Sequence, residues 1–100
     1  MAYKRYKLYW SNESLNNLED ILDYLNKKWT PREVEDFKEK LRKQIDIILS
    51  FPEIFPVSQL QPRLRKAVLS KQTTVFYEIN QDRITIVYLF VVKKNPNKIK

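Results

Sequence analysis

The 100-residue chain has no cysteine, no histidine and no glycine, and each absence closes off a class of chemistry. Without Cys or His there are no thiolate or imidazole ligands for zinc, haem or iron-sulfur centres, and no thiol nucleophile or His-centred triad. With no Cys, the redox compartment is also unreadable. Without Gly, P-loops and dinucleotide-binding turns are not expected, because they need backbone at positive φ or very close to a phosphate. The acidic residues Asp20, Asp23, Asp36 and Glu39 are spaced as solvated helix faces and match no calcium-loop pattern, so no metal and no cofactor are expected. Long apolar runs are missing too. The longest, residues 86–92, falls far short of the roughly 20 residues that span a bilayer as a helix. Residues 1–10 place Lys4, Arg5 and Lys7 among aromatics, with neither an apolar core nor a small-residue cleavage site, so no signal peptide is expected. These absences lead us to expect a soluble, cytoplasmic protein with no membrane partner.

What is present suits a folded domain. Hydrophobic residues make up 43% of the chain, including two Trp, six Tyr and five Phe, enough to bury a core without disulfides. The length suggests one domain over residues 1–100, with a basic tail at 93–100.

Residues 4–10 alternate, with Tyr6, Leu8 and Trp10 on one face and Arg5, Lys7 and Tyr9 on the other, which predicts a strand. Ser11 then offers an N-cap. Leu15, Leu18, Ile21, Leu22 and Leu25 recur at three- and four-residue spacing, predicting a helix to about Trp29. Thr30-Pro31-Arg32-Glu33 combines a cap, a proline at the first helical position and a capping-box Glu, so a second helix starts there. Val34, Phe37, Leu41, Ile45, Ile48 and Leu49 form its apolar stripe, and Pro52 ends it. Residues 51–62 hold three prolines and no periodicity, and read as a loop whose Ile54, Phe55 and Val57 pack back onto the core. Strands follow at 64–70, 73–79 and 83–92, divided by Lys71-Gln72 and by Asn80-Gln81-Asp82, where Asn and Asp tolerate left-handed backbone. Apolar on both faces, residues 86–92 suit a strand interior to the sheet. The expected fold is α+β: a two-layer β-α-α-β-β-β domain with a helical hairpin on a four-stranded, mainly antiparallel sheet.

The net charge is +7, unevenly spread: residues 63–72 and 93–100 each carry +4, whereas the helical segment 11–50 carries −2. Positive potential on sheet and tail favours a polyanion or an acidic protein. Basic strand residues interleaved with Tyr6, Tyr9, Tyr77 and Tyr88 suit phosphate contact and base stacking, although aromatic residues in strands usually serve packing. By alternation Arg63, Arg65 and Ala67 share one sheet face and Lys66 the other, and the face away from the helices is expected to carry the charged set.

The ordered set of motifs resembles the RelE/ParE superfamily, the small basic toxins of type II toxin-antitoxin modules, also described as plasmid stabilization proteins. The likeness runs through the first-helix segment 11–21, the Tyr24-Leu25 pair and Trp29, with Ser14 and Asn17 where Ala and Asp are usual. It continues through Leu64-Arg65-Lys66-Ala67-Val68, Val75-Phe76-Tyr77-Glu78-Ile79, Ile84-Thr85-Ile86-Val87 and the ending Lys93-Lys94-Asn95-Pro96. The resemblance implies growth inhibition and an acidic antitoxin that folds as it wraps the toxin, with either DNA gyrase or ribosome-bound mRNA as target. It marks Arg65 as the candidate catalytic residue and Arg63, Lys66, Lys93, Lys94 and Asn95 as candidate target contacts.

RNA cleavage by 2′-hydroxyl attack needs a base, a cation for the phosphorane and an acid for the leaving oxygen. Arg65 suits the cation, and Glu78 or Tyr77 are the available proton carriers; the bland reading of Arg65 is a cross-strand ion pair with Glu78. Two departures weigh against a nuclease. Lys93 replaces the usual Arg and loses its bidentate fork, and Phe90, Val91 and Val92 stand where nuclease members carry His or Tyr. The expected function is therefore a ParE-like toxin acting on gyrase or another non-nuclease target. The alternatives are a ribosome-dependent mRNA endonuclease and an inert binding member of the family.

Overall fold

The structure, a computed structural model, describes residues 6–92. Its elements run β1 (Lys7–Trp10), α1 (Asn12–Lys28), α2 (Pro31–Ser50), β2 (Leu64–Val68), β3 (Thr73–Asn80) and β4 (Arg83–Val91). They form the expected α+β domain, in which both helices lie against one face of a single sheet of order β1-β4-β3-β2. The β2-β3-β4 meander is antiparallel, and β1 joins it parallel to β4. The first strand thus reaches the last through the crossover that parallel pairing requires.

Both helices begin as their sequences predict. Ser11 caps α1, its Oγ accepting from Ser14 N–H at 3.0 Å, and Thr30 and Glu33 close a reciprocal capping box on α2. Each such cap is worth about 1 kcal/mol. From α2, Val34, Phe37, Leu41, Ile45, Ile48 and Leu49 enter the core, where Ile21 and Leu25 of α1 meet Ala67, Val75, Tyr77, Ile84, Ile86 and Leu89 of the sheet.

Boundaries shift for local reasons. Lys4 and Arg5 lie outside the described residues, and the ladder opens with Lys7 N–H donating to Asp82 O. The second strand stops at Val68 because Leu69 and Ser70 N–H both donate to Thr73 O in the turn. Between β3 and β4 the left-handed residue is Gln81, at φ 59°, rather than Asn80 or Asp82. Asn80 pairs directly with Arg83, so the loop has two residues, and a II′-type turn demands positive φ at its first position. No glycine exists to fill it.

The apolar run in β4 owes its two-faced character to a bulge. The register slips between Phe76 and Tyr77, so Tyr88 pairs with Phe76 while Ile86 pairs with Tyr77, and Val87 is the extra residue. Up to Ile86 the even-numbered residues point at the helices; beyond Val87 the odd-numbered Leu89 and Val91 do. As expected, β4 is interior to the sheet, yet Phe90 remains 53% exposed. The bulge is stitched to α1: Ser11 Oγ donates to Val87 O, and Asn17 Oδ1 accepts from Leu89 N–H at 2.9 Å. Fully buried Ser14 turns its hydroxyl back to Ser11 O at 2.7 Å.

Candidate functional site

β2 is the outer strand of the sheet, and the loop 51–62 lies along its free edge. Ser58 N–H donates to Leu64 O at 2.8 Å, Lys66 N–H donates to Pro56 O at 2.9 Å, and Val57 bridges to Arg65. Of the loop residues expected to pack inward, Phe55 does so; Ile54 and Val57 are 61% and 43% exposed.

Arg65 is bound into this arrangement. By alternation from Ala67 it lies on the helical side of the sheet, not on the open side where the sequence pattern placed the charged set. The reason is that Ala67 is a core residue, so every odd position of β2 turns inward. Arg65 Nη1 donates to Phe55 O at 2.8 Å and to Glu53 O at 3.4 Å. Opposite it in β3, Tyr77 is wholly buried, donates its hydroxyl to Pro52 O and meets the Phe55 ring edge-on, with centroids 6.3 Å apart. Burial pushes the Tyr77 phenol up to about 12, against the opposing pull of the Arg65 charge. Guanidinium and phenol together therefore clasp the loop to the sheet. A phenol this reluctant to ionise, with its proton committed to a carbonyl, is a poor general base near neutral pH.

The open side of the sheet gathers the other candidates. Lys66, exposed, lies in register with Phe76, whose ring stacks on Tyr88 with centroids 4.6 Å apart and planes 18° off parallel. Arg63 pairs with Glu78 at 3.2 Å, so the acid expected opposite Arg65 binds Arg63 instead. On the β1 side, the Arg83 guanidinium lies 5.0 Å from the centre of the Tyr9 ring. Lys93, Lys94 and Asn95 lie outside the described residues. Among the described residues, no three His, Cys, Asp or Glu side chains gather into a metal-binding group, and no helix is long and apolar enough to cross a membrane.

A third feature escaped the sequence reading. Leu8 and Trp10 of β1, Leu18 and Leu22 of α1, and Leu41, Ile45 and Leu49 of α2 line an apolar groove of about 450 Å³, rimmed by Lys38, Arg42 and Asp46. The available signal was the breadth of the α1 stripe. Ile21 and Leu25 are fully buried, whereas Leu18 and Leu22 are only half-buried and Leu15 is 49% exposed.

The chain shares its fold with a chain of the chromosomal ParDE toxin-antitoxin system of P. aeruginosa, at 15% identity and a TM-score of 0.73, over 92% of this chain and 100% of that one. It is similar to a chain of the E. coli DinJ-YafQ toxin-antitoxin complex, at 9% identity and a TM-score of 0.61, over 87% and 92% of the two chains. A conserved hypothetical protein of Helicobacter pylori, solved in solution, is similar at 12% identity and a TM-score of 0.56, over 89% and 97%. No curated protein sequence matches. The sequence profile of the ParE toxin of the type II toxin-antitoxin system parDE matches residues 8–94, nearly the whole of the fold just described, and the chain belongs to that toxin family.

Proposed function

We propose that this chain is a growth-inhibiting toxin directed at DNA gyrase rather than an mRNA nuclease, and that an acidic antitoxin neutralises it. The observation that carries this reading is the clasp at the sheet edge. Arg65, the residue a nuclease would use to stabilise a phosphorane, is spent on two loop carbonyls, and neither nearby proton carrier is free for catalysis. Tyr77 is buried and donates to Pro52 O, and Glu78 is held by Arg63. Arg65 is thus a positioning residue, which shapes the loop instead of touching a substrate. Target contact falls to Arg63 and Lys66 on the sheet and to Lys93, Lys94 and Asn95 beyond it.

The antitoxin fits the groove between β1 and the helices. Its leucines and Trp10 suit the apolar face of an amphipathic segment, and the +7 charge of the chain favours an acidic partner. Neighbouring folds from P. aeruginosa and E. coli belong to toxin-antitoxin systems, which supports a partner of this kind.

Induced expression tests the reading. Growth should arrest when the chain is expressed alone and recover when an adjacent acidic protein is supplied, with mRNA in the arrested cells intact. Codon-phased mRNA breaks that vanish with Arg65→Ala would establish the nuclease instead, and unimpeded growth would leave an inert family member.

A further inference from the structure

Between Asp46 and Arg63 the chain carries one ionisable side chain, Glu53, in sixteen residues, although 31% of the whole chain is charged. This uncharged stretch is not buried. Ten of residues 47–62 are exposed, and Phe51, Ile54, Val57 and Leu60, every third residue of the loop, hold 48%, 61%, 43% and 93% of their surface in water. Ile47, in the last turn of α2, adds to them at 41%. The patch follows a continuous backbone path, since Phe51 N–H donates to Ile47 O and Ile54 N–H to Phe51 O. Apolar side chains scattered singly over a surface are ordinary, whereas a connected group marks a place of contact.

The loop that presents these side chains is held from behind. The carbonyls of Pro52, Glu53 and Phe55 accept from Tyr77 and Arg65, while Pro56 O and Ser58 N–H pair with β2. At the tip, Leu64 N–H donates to Gln61 O at 2.8 Å and Gln61 N–H to Ser58 Oγ at 3.4 Å, so Leu60 stands on a closed turn. A side chain fixed in this way has little freedom left to lose on binding. Strand addition is discouraged here, because the segment at 56–58 already pairs with β2 and is short and flanked by prolines. Contact through this edge is therefore a matter of side chains.

We infer that this edge is a docking surface for a second copy of the chain, giving a symmetric dimer in which Leu60 of each copy packs against Ile54 and Val57 of the other. Charge selects the occupant. At +7, two copies repel one another through their basic faces and approach most easily where the surface carries almost no charge. An acidic partner is drawn to those basic faces instead and gains nothing electrostatic here. A two-fold contact also needs one patch that complements itself, and an uncharged apolar surface does so without matched ion pairs. The edge lies at the β2 end of the sheet and the apolar groove at the β1 end, so the dimer leaves the groove open. This inference does not rest on the gyrase reading, since growth arrest can occur with or without dimerisation.

The test is sedimentation equilibrium of the purified chain from 5 to 500 μM, at 50 and 500 mM NaCl. Ten exposed residues fall short of the roughly 20–30 a side of a standard interface, so the expected dimer is reversible, with a Kd of roughly 10–100 μM. Screening shortens the Debye length from about 14 Å to about 4 Å between those salts, which should tighten the dimer threefold or more. Leu60→Glu and Ile54→Glu should each weaken it at least tenfold, although each lowers the net charge and so reduces the repulsion between copies. Lys27→Glu, on the exposed end of α1, makes a change in charge of the same sign and should not weaken the dimer; nor should Leu18→Glu in the groove. Far-UV circular dichroism and the urea midpoint should stay unchanged for Leu60→Glu, because that side chain is almost wholly in water. A monomer at every concentration in both salts would overturn the inference, as would a dimer that loosens as salt rises, one that survives both Leu60→Glu and Ile54→Glu, or one that Leu18→Glu abolishes.

Discussion

Replacing Arg65 with Met keeps the unbranched stem and removes the guanidinium, which isolates the clasp from the packing beneath it. Two donated bonds are lost, at 2.8 Å to Phe55 O and at 3.4 Å to Glu53 O. A bond from a charged donor is worth about 1.5–3 kcal/mol, but the second is long and the site is partly open to water, so the expected loss is about 1–2 kcal/mol. At a urea m-value of about 1.5–2 kcal/mol/M, the unfolding midpoint should fall by roughly 0.5–1.3 M with m unchanged. Growth arrest by Arg65→Met should then decline only as far as the folded fraction declines, and lowering the temperature should restore it. Arg65→Lys, with one flexible ammonium in place of the fork, should recover part of the stability. The reasoning is refuted if Arg65→Met keeps its urea midpoint yet no longer arrests growth, because Arg65 would then be meeting the target and not the loop.

Tyr77 predicts a pH dependence. Its phenol is raised from 10.0 to about 12 in the folded protein, so the folded state holds its proton more tightly than the unfolded chain does. The resulting stability is fully present below pH 10 and lost as pH rises from 10 to 12; Tyr77→Phe, less stable at neutral pH, should show a shallower decline over that window in parallel urea titrations. Gln81→Gly should raise stability by about 1 kcal/mol, read as a higher urea midpoint, because the left-handed φ of 59° strains any residue with a Cβ. Leu18→Glu places a charge in the groove at a half-buried position, and should abolish co-purification with the antitoxin while leaving growth arrest and the far-UV circular dichroism spectrum in place.

The features that the sequence made legible are those governed by local chemistry. Ser11 and the Thr30-Glu33 box can cap only a helix start, and the stripe from Val34 to Leu49 admits one buried face. Strand positions followed from alternation and turn residues, and the ordering of the motifs carried the family. Tertiary geometry was less accessible. Nothing local in Arg65 distinguishes a phosphate ligand from a clasp; the difference lies in a loop that returns ten residues' worth of chain to place Phe55 O beside it. The side of the sheet that Arg65 occupies depended on whether Ala67 or Lys66 faced the helices, and Ala67, small enough for either environment, did not declare it. Likewise Val87 looks like any other β4 residue until the register with β3 reveals the bulge, and with it the outward turn of Tyr88 and Phe90.

The central claim is that this sheet edge is built for structure rather than for cutting RNA, and purified protein tests it most directly when gyrase and a translating extract are challenged side by side. Gyrase supercoiling should stop at protein concentrations that leave mRNA in the extract intact. Cleaved mRNA with supercoiling unaffected would contradict it.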